Sequence, residues 1–141
     1  TPDIILLSAG VNDGGVLGWD LDGTWQEPLD DLTALLLAIK SEAPGTRVII
    51  GSVPVAVEAI LGSAAHVWTT MYNLLLPLAV RSARDDGVVC RYFDVFGRIP
   101  ASMLTDGLHP TEAGHLIAAE RWFEALTTVE PSLPPTLWDV P

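Results

Sequence analysis

Ile4-Ile5-Leu6-Leu7-Ser8-Ala9 is a continuous apolar run closed by Gly10. It is too short for a helix and lacks the alternation of a strand with one wet face, so it predicts a strand of a parallel sheet buried on both faces. Two further runs share this character: Arg47-Val48-Ile49-Ile50-Gly51, whose extension Pro54 bars, and Val88–Val95. Helical patterns separate and follow them. Pro28 opens one in which Leu29, Leu32, Leu35, Leu36 and Ile39 share a face; Glu27, Asp30 and Asp31 sit at its positive end and Pro44-Gly45 closes it. A long connection over 53–67 leads to a second helix, striped by Met71, Leu74, Leu75 and Leu78, kinked or broken at Pro77 and ended by Asp86-Gly87. Residues 96–104 read as irregular or a short helical turn, and Thr111 to Leu126 as a last helix with Leu116, Ala119, Phe123 and Leu126 inward. Strand and helix alternate throughout, which predicts an α/β fold with a parallel sheet and right-handed crossovers.

Such a sheet is thin, and its most apolar strand comes first with nothing upstream to pair with it. An open apolar edge is an aggregation liability, so the pattern predicts further strands before Thr1, which reads as a cut end. The predicted division is 1–128 as one domain and 129–141 as an extended, proline-rich tail. Among 141 residues, 49% are hydrophobic, enough to fill one core, and 18% are charged, too few for a disordered chain. The net charge of −11 repels phosphate backbones and argues against nucleic-acid binding. No apolar run is long enough for a membrane span. Cys90 is the single cysteine, so no intrachain disulfide or cysteine metal cluster forms; in Val88-Val89-Cys90 it reads as a buried, inert thiol. His66, His109 and His115 include no i, i+4 pair, which argues against a metal site.

Ligands of open α/β sheets bind beyond the carboxyl ends of the strands. Gly10-Val11-Asn12-Asp13 lies there, at the start of a long loop over 11–27. Gly10 permits a sharp turn and the Asn12 amide can donate to a developing oxyanion; Asn-Asp-Gly-Gly is equally strong turn chemistry. Asp106-Gly107-Leu108-His109-Pro110 lies between the third strand and the last helix. Asp106 can accept from Nδ1 of His109 and leave Nε2 as a base, or it can simply start a turn. Trp19 and Trp25 can stack on a sugar or grip an acyl group, or pin the loop down. Ser52 follows the second strand at the same end and is a candidate pocket residue, without the context of a strained nucleophile elbow. Ser8 reads as packed in its strand, and Ser63, Ser82 and Ser102 have no supporting context. His66 reads as a loop histidine or a substrate contact, His115 as helix surface, and Trp68 and Trp122 as core.

Taken together, Gly-x-Asn-Asp after a buried strand and Asp-Gly-Leu-His-Pro before the closing helix resemble the SGNH (GDSL-type) hydrolase superfamily, from about Thr1 to Leu126. The resemblance implies a three-layer α/β/α, flavodoxin-like fold truncated to its last three strands. It implies a serine esterase or acylhydrolase acting through an acyl-enzyme, with Asn12 as oxyanion donor, His109 as general base, Asp106 as its orienting carboxylate and Asp13 as a loop-fixing residue. No cofactor is implied; the substrate is a small-molecule or glycan ester, and secretion is favoured. The family's Gly-Asp-Ser block and its second-block glycine are absent. The nucleophile is therefore expected in a missing N-terminal segment, leaving this chain inactive alone. The alternative is a catalytically dead SGNH-like module that binds carbohydrate or a partner; a phosphate binder ranks last for want of a glycine-rich phosphate loop.

Overall fold

The computed structural model describes residues 2–16, 19 and 25–128. The predicted tail and the loop positions 17–18 and 20–24 lie outside the described residues. The elements are β1 (Ile4–Leu7), α1 (Val11–Val16), α2 (Gln26–Glu42), β2 (Arg47–Gly51), α3 (Glu58–Asp85), β3 (Cys90–Phe93), a 3₁₀ turn (Ala101–Met103) and α4 (Glu112–Thr127). The strands form one parallel sheet in the order β1-β2-β3, with Leu6 opposite Ile49 and Ile49 opposite Arg91.

Alternate strand residues face opposite sides. Ile5, Leu7, Val48, Ile50 and Cys90 point to one face, where they meet Leu32 and Leu36 of α2 and Trp68, Tyr72 and Leu76 of α3. Ile4, Ile49 and Phe93 point to the other and meet Trp122, Ala125 and Leu126 of α4. The molecule is thus three layers with the sheet in the middle. Leu36 and Leu76 are completely buried, each contributing about 1.5–3 kcal/mol relative to exposure. Arg121 fastens α4 to the end of β3: its guanidinium lies 4.5 Å from the Phe93 ring centre while Nη2 donates to the Asp94 carbonyl at 2.9 Å. Among the described residues no helix is long and apolar enough to cross a membrane.

Several sequence expectations are corrected. The loop after β1 begins with a short helix, α1, and the supposed connection over 53–67 is helical from Glu58 onward. The helical path of α3 breaks at Gly62 (φ 87°, ψ 166°) and continues through Pro77, which lies on the exposed side. The inward face of α3 is Ala65, Trp68, Thr69, Tyr72, Leu76, Ala79, Val80 and Ala83, whereas Leu74 and Leu78 are exposed. On α4 the inward residues are Gly114, Ala118 and Ala125, with Trp122 and Leu126 packed beside them; Leu116 and Phe123 are exposed. On α2, Leu35 is exposed while Leu29, Leu32 and Leu36 are buried. β1 is an outer strand and only partly covered: Leu6 is 40% exposed, so this strand is not buried on both faces among the described residues.

Candidate active site

The Asp106–His109 loop is a closed hairpin-like excursion between the 3₁₀ turn and α4. Leu104 and Pro110 form an antiparallel bridge at its base, and the Thr105 amide donates to the His109 carbonyl at 2.7 Å. Gly107 turns the chain at φ +86°, a conformation that favours glycine. A side chain there would also meet Ile60 of α3, 2.9 Å from its Cβ. Thr111 caps α4 by accepting the Gly114 amide at 3.2 Å. Gly114 itself lies so close to the Met103 carbonyl that a Cβ would come within 2.9 Å of it.

Inside this loop Asp106 collects three donors. Its Oδ1 accepts the amides of His109 at 2.8 Å and Leu108 at 3.1 Å, and its Oδ2 accepts Nδ1 of His109 at 2.7 Å. The backbone donation from His109, then the imidazole bond, then the Leu108 amide hold the Asp106 carboxyl well below the usual carboxylate range. An ionised Asp106 can only accept, so Nδ1 carries the proton and a neutral ring presents a bare Nε2. The imidazole is 71% exposed, open to a reacting group. Such an arrangement can take a proton at Nε2 and return it.

Asn12 and Asp13 are exposed residues of α1, directly beyond β1. Gly10 lets α1 begin there: at φ +103° its missing Cβ would fall 2.0 Å from the Tyr72 hydroxyl oxygen, which donates to the Ala9 carbonyl at 3.1 Å. Burial, and secondarily the nearby Asp13 charge, push the Tyr72 phenol far up. Trp19 lies edge-on to Trp68, at 5.7 Å between ring centres, and Trp68 stacks on Tyr72 at 5.1 Å. Gly14 fits against the same stack, so Trp19 belongs to the packing beneath α1. Trp25 also packs against the core, at one end of a cavity of about 320 Å³ between α2 and α3.

Ser52 is only 1% exposed. Its hydroxyl donates to Asp94 at 2.8 Å and accepts the Phe96 amide at 2.8 Å, so it serves to tie the exit of β2 to that of β3. Asp94 also accepts the Gly97 amide at 2.9 Å. Ser8 donates to the Ser52 carbonyl at 3.0 Å, and Ser63, Ser82 and Ser102 are exposed. Among the described residues no serine hydroxyl is hydrogen-bonded to His109, and no cluster of three or more His, Cys, Asp or Glu is placed to hold a metal ion. His115 is exposed on α4, whereas His66 is half-buried on α3, with Nδ1 2.8 Å from the Ala56 carbonyl. His66 lines a cavity of about 260 Å³ with Pro54, Phe96, Ile99 and Leu104.

Sequence reasoning missed three polar side chains. Thr69 and Asn73 hold the connection after β2, and Asp94 holds Ser52. The available signals were polar residues beside Trp68 and Tyr72 on a core-facing helix, and Asp-x-x-Gly turn chemistry after the third strand.

A parallel sheet with helices on both sides defines a three-layer α/β domain, with an aspartate–histidine pair beyond its last strand. The GDSL-like lipase/acylhydrolase family model matches residues 1–117, and the chain belongs to that family. Solved structures agree in fold. A carbohydrate esterase family 3 protein from Talaromyces cellulolyticus is similar with a TM-score of 0.74 at 19% identity, over 94% of this chain and 61% of that one. A catalytic mutant of an acetylxylan esterase from Geobacillus stearothermophilus is similar with a TM-score of 0.62 at 20% identity, over 87% of this chain and 58% of that one. The chain therefore spans about three-fifths of the length of these structures. No curated protein matches it.

Proposed function

We propose that the whole protein is a serine ester hydrolase in which His109 is the general base and Asp106 orients it. The observation that carries this reading is the 2.7 Å contact between Asp106 Oδ2 and His109 Nδ1, with Nε2 left open on an exposed ring. In the acylation step a serine hydroxyl loses its proton to Nε2 as its oxygen bonds to the acyl carbon. The tetrahedral oxyanion then collapses, and the departing alcohol takes the proton from His109. Water repeats the sequence to release the acid. Asn12, beyond β1, donates its side-chain amide to the oxyanion, Gly10 sets the turn that places it, and Asp13 fixes the loop. Acid–base help of this kind contributes about 10²–10⁴-fold to the rate.

The nucleophilic serine in this reading comes from a segment outside residues 1–141, paired along the open edge of β1. Three observations support it. That edge carries no partner among the described residues, the Ser52 hydroxyl is spent on Asp94 and Phe96, and the chain spans about three-fifths of its structural relatives. Residues 1–141 would then be inactive alone. The substrate is an ester of a small molecule or a glycan; the carbohydrate esterase and acetylxylan esterase among the structural relatives favour acetylated sugars.

A fluorophosphonate probe tests the reading on the whole protein. Covalent labelling of one serine, lost in His109→Ala, is expected. An unlabelled whole protein that still binds glycans would instead make it a catalytically dead binding module.

A further inference from the structure

The connection from β2 to α3 runs through Ser52–Val57 with no regular structure, yet its backbone is held at several points by one face of α3. Asn73 Nδ2 donates to the Val53 carbonyl at 2.9 Å and Asn73 Oδ1 accepts the Val53 amide at 2.8 Å. Thr69 Oγ1 accepts the Ala56 amide at 2.9 Å while donating to the Ala65 carbonyl at 2.9 Å. His66 Nδ1 meets the Ala56 carbonyl at 2.8 Å, and because a carbonyl only accepts, that nitrogen carries the proton. Positions 66, 69 and 73 recur at helical spacing, so one rigid ridge holds both ends of the connection. The next residue, Val57, then donates its amide to the Gly107 carbonyl at 2.8 Å.

We propose that Thr69 and Asn73, with His66, are positioning residues for the Asp106–His109 pair, acting through the Val57–Gly107 hydrogen bond. The inference rests on the hydrolase reading for its consequence in catalysis, though not for its geometry. Gly107 is the turn between Asp106 and His109, and its peptide decides where the Leu108 and His109 amides meet Asp106. Thr105, Asp106 and His109 are exposed, Gly107 is buried against Ile60, and the Leu104–Pro110 bridge closes the base of the excursion. Fixing the Gly107 carbonyl therefore fixes the imidazole, and a displacement of about 1 Å at a reacting group can cost about 10²-fold in rate. Thr69 has no exposed surface and lies among apolar neighbours, where its hydroxyl is costly unless it is used.

Thr69→Val removes the hydroxyl at nearly constant shape, and Thr69→Ser restores it. In the whole protein, Thr69→Val is expected to lower kcat for p-nitrophenyl acetate at least tenfold with KM within twofold, and Thr69→Ser to recover most of it. Amide exchange by NMR is read on the same variants and needs no activity. Thr69→Val should accelerate exchange at Val57, Leu108 and His109 at least tenfold, while Ile49 and Ile50 of β2 stay protected. Unchanged exchange at Leu108 and His109, or acceleration equal to that of the β2 amides, overturns the proposal. Should wild type prove inactive, the hydrolase reading falls and the exchange result alone decides the positioning role.

Discussion

Asp106 holds His109 twice, once by its backbone and once by its ring: Oδ1 accepts the amide at 2.8 Å and Oδ2 meets Nδ1 at 2.7 Å. The double hold fixes both the position of the residue and the tautomer of its imidazole. Asp106→Asn puts an amide where a carboxylate was, so the proton preference of Nδ1 is lost while the shape remains. The expected result is a fall in kcat of about 10²–10⁴-fold, the range for a positioned acid–base group, with KM little changed. Steady-state kinetics on the whole protein at pH 8 check it.

The same three donors keep Asp106 ionised in acid. Its folded value lies below the ordinary aspartate value of about 3.9, so the stability it lends is complete above about pH 4. That stability is lost only as pH falls further, through the depressed folded value. Carboxyl ¹³C NMR should show Asp106 titrating below the ordinary aspartate value of about 3.9, and His109→Ala should move it part of the way back. Titration of wild-type Asp106 at or above about 3.9 would contradict the assignment.

Gly10 and Gly45 separate strain from collision. Both have positive φ, +103° and +90°, but a Cβ on Gly10 would strike Tyr72, whereas one on Gly45 meets nothing within 4 Å. Gly45→Ala should cost about 1 kcal/mol from backbone strain alone. Gly10→Ala should cost about 2–4 kcal/mol, because overpacking adds about 1–3 kcal/mol to that strain. Denaturant midpoints measured side by side provide the check.

Cys90 is buried and its thiol points to the Val80 carbonyl at 3.6 Å. Burial, opposed weakly by Arg84, pushes the thiol up to about 11. A thiol so placed has almost no thiolate at pH 8. Ellman's reagent should leave it untouched in the native protein and titrate one equivalent after unfolding.

Local patterns were legible in the sequence and long-range ones were not. The strands at Ile4–Leu7 and Arg47–Gly51 declare themselves by unbroken apolar runs, and the Asp106–His109 contact spans only three residues. On α3 and α4 the helix faces misled because several of their largest apolar side chains are not buried. Ala65, Ala79 and Ala83 face inward on α3 and Ala118 and Ala125 on α4, letting the backbones approach closely, while Leu74, Leu78, Leu116 and Phe123 point outward. Gly62 concealed the start of α3 because the φ/ψ break falls one turn inside it. The part played by Ser52 depends on Asp94, 42 residues away, a pairing that no local pattern encodes.

The central claim is that His109, held by Asp106, moves the protons of ester hydrolysis. Its most direct test compares p-nitrophenyl acetate hydrolysis by the whole protein and by its His109→Ala form. The predicted result is a loss of kcat/KM of at least about 10²-fold in the variant, with the fold intact by circular dichroism. Equal rates for the two proteins would contradict it.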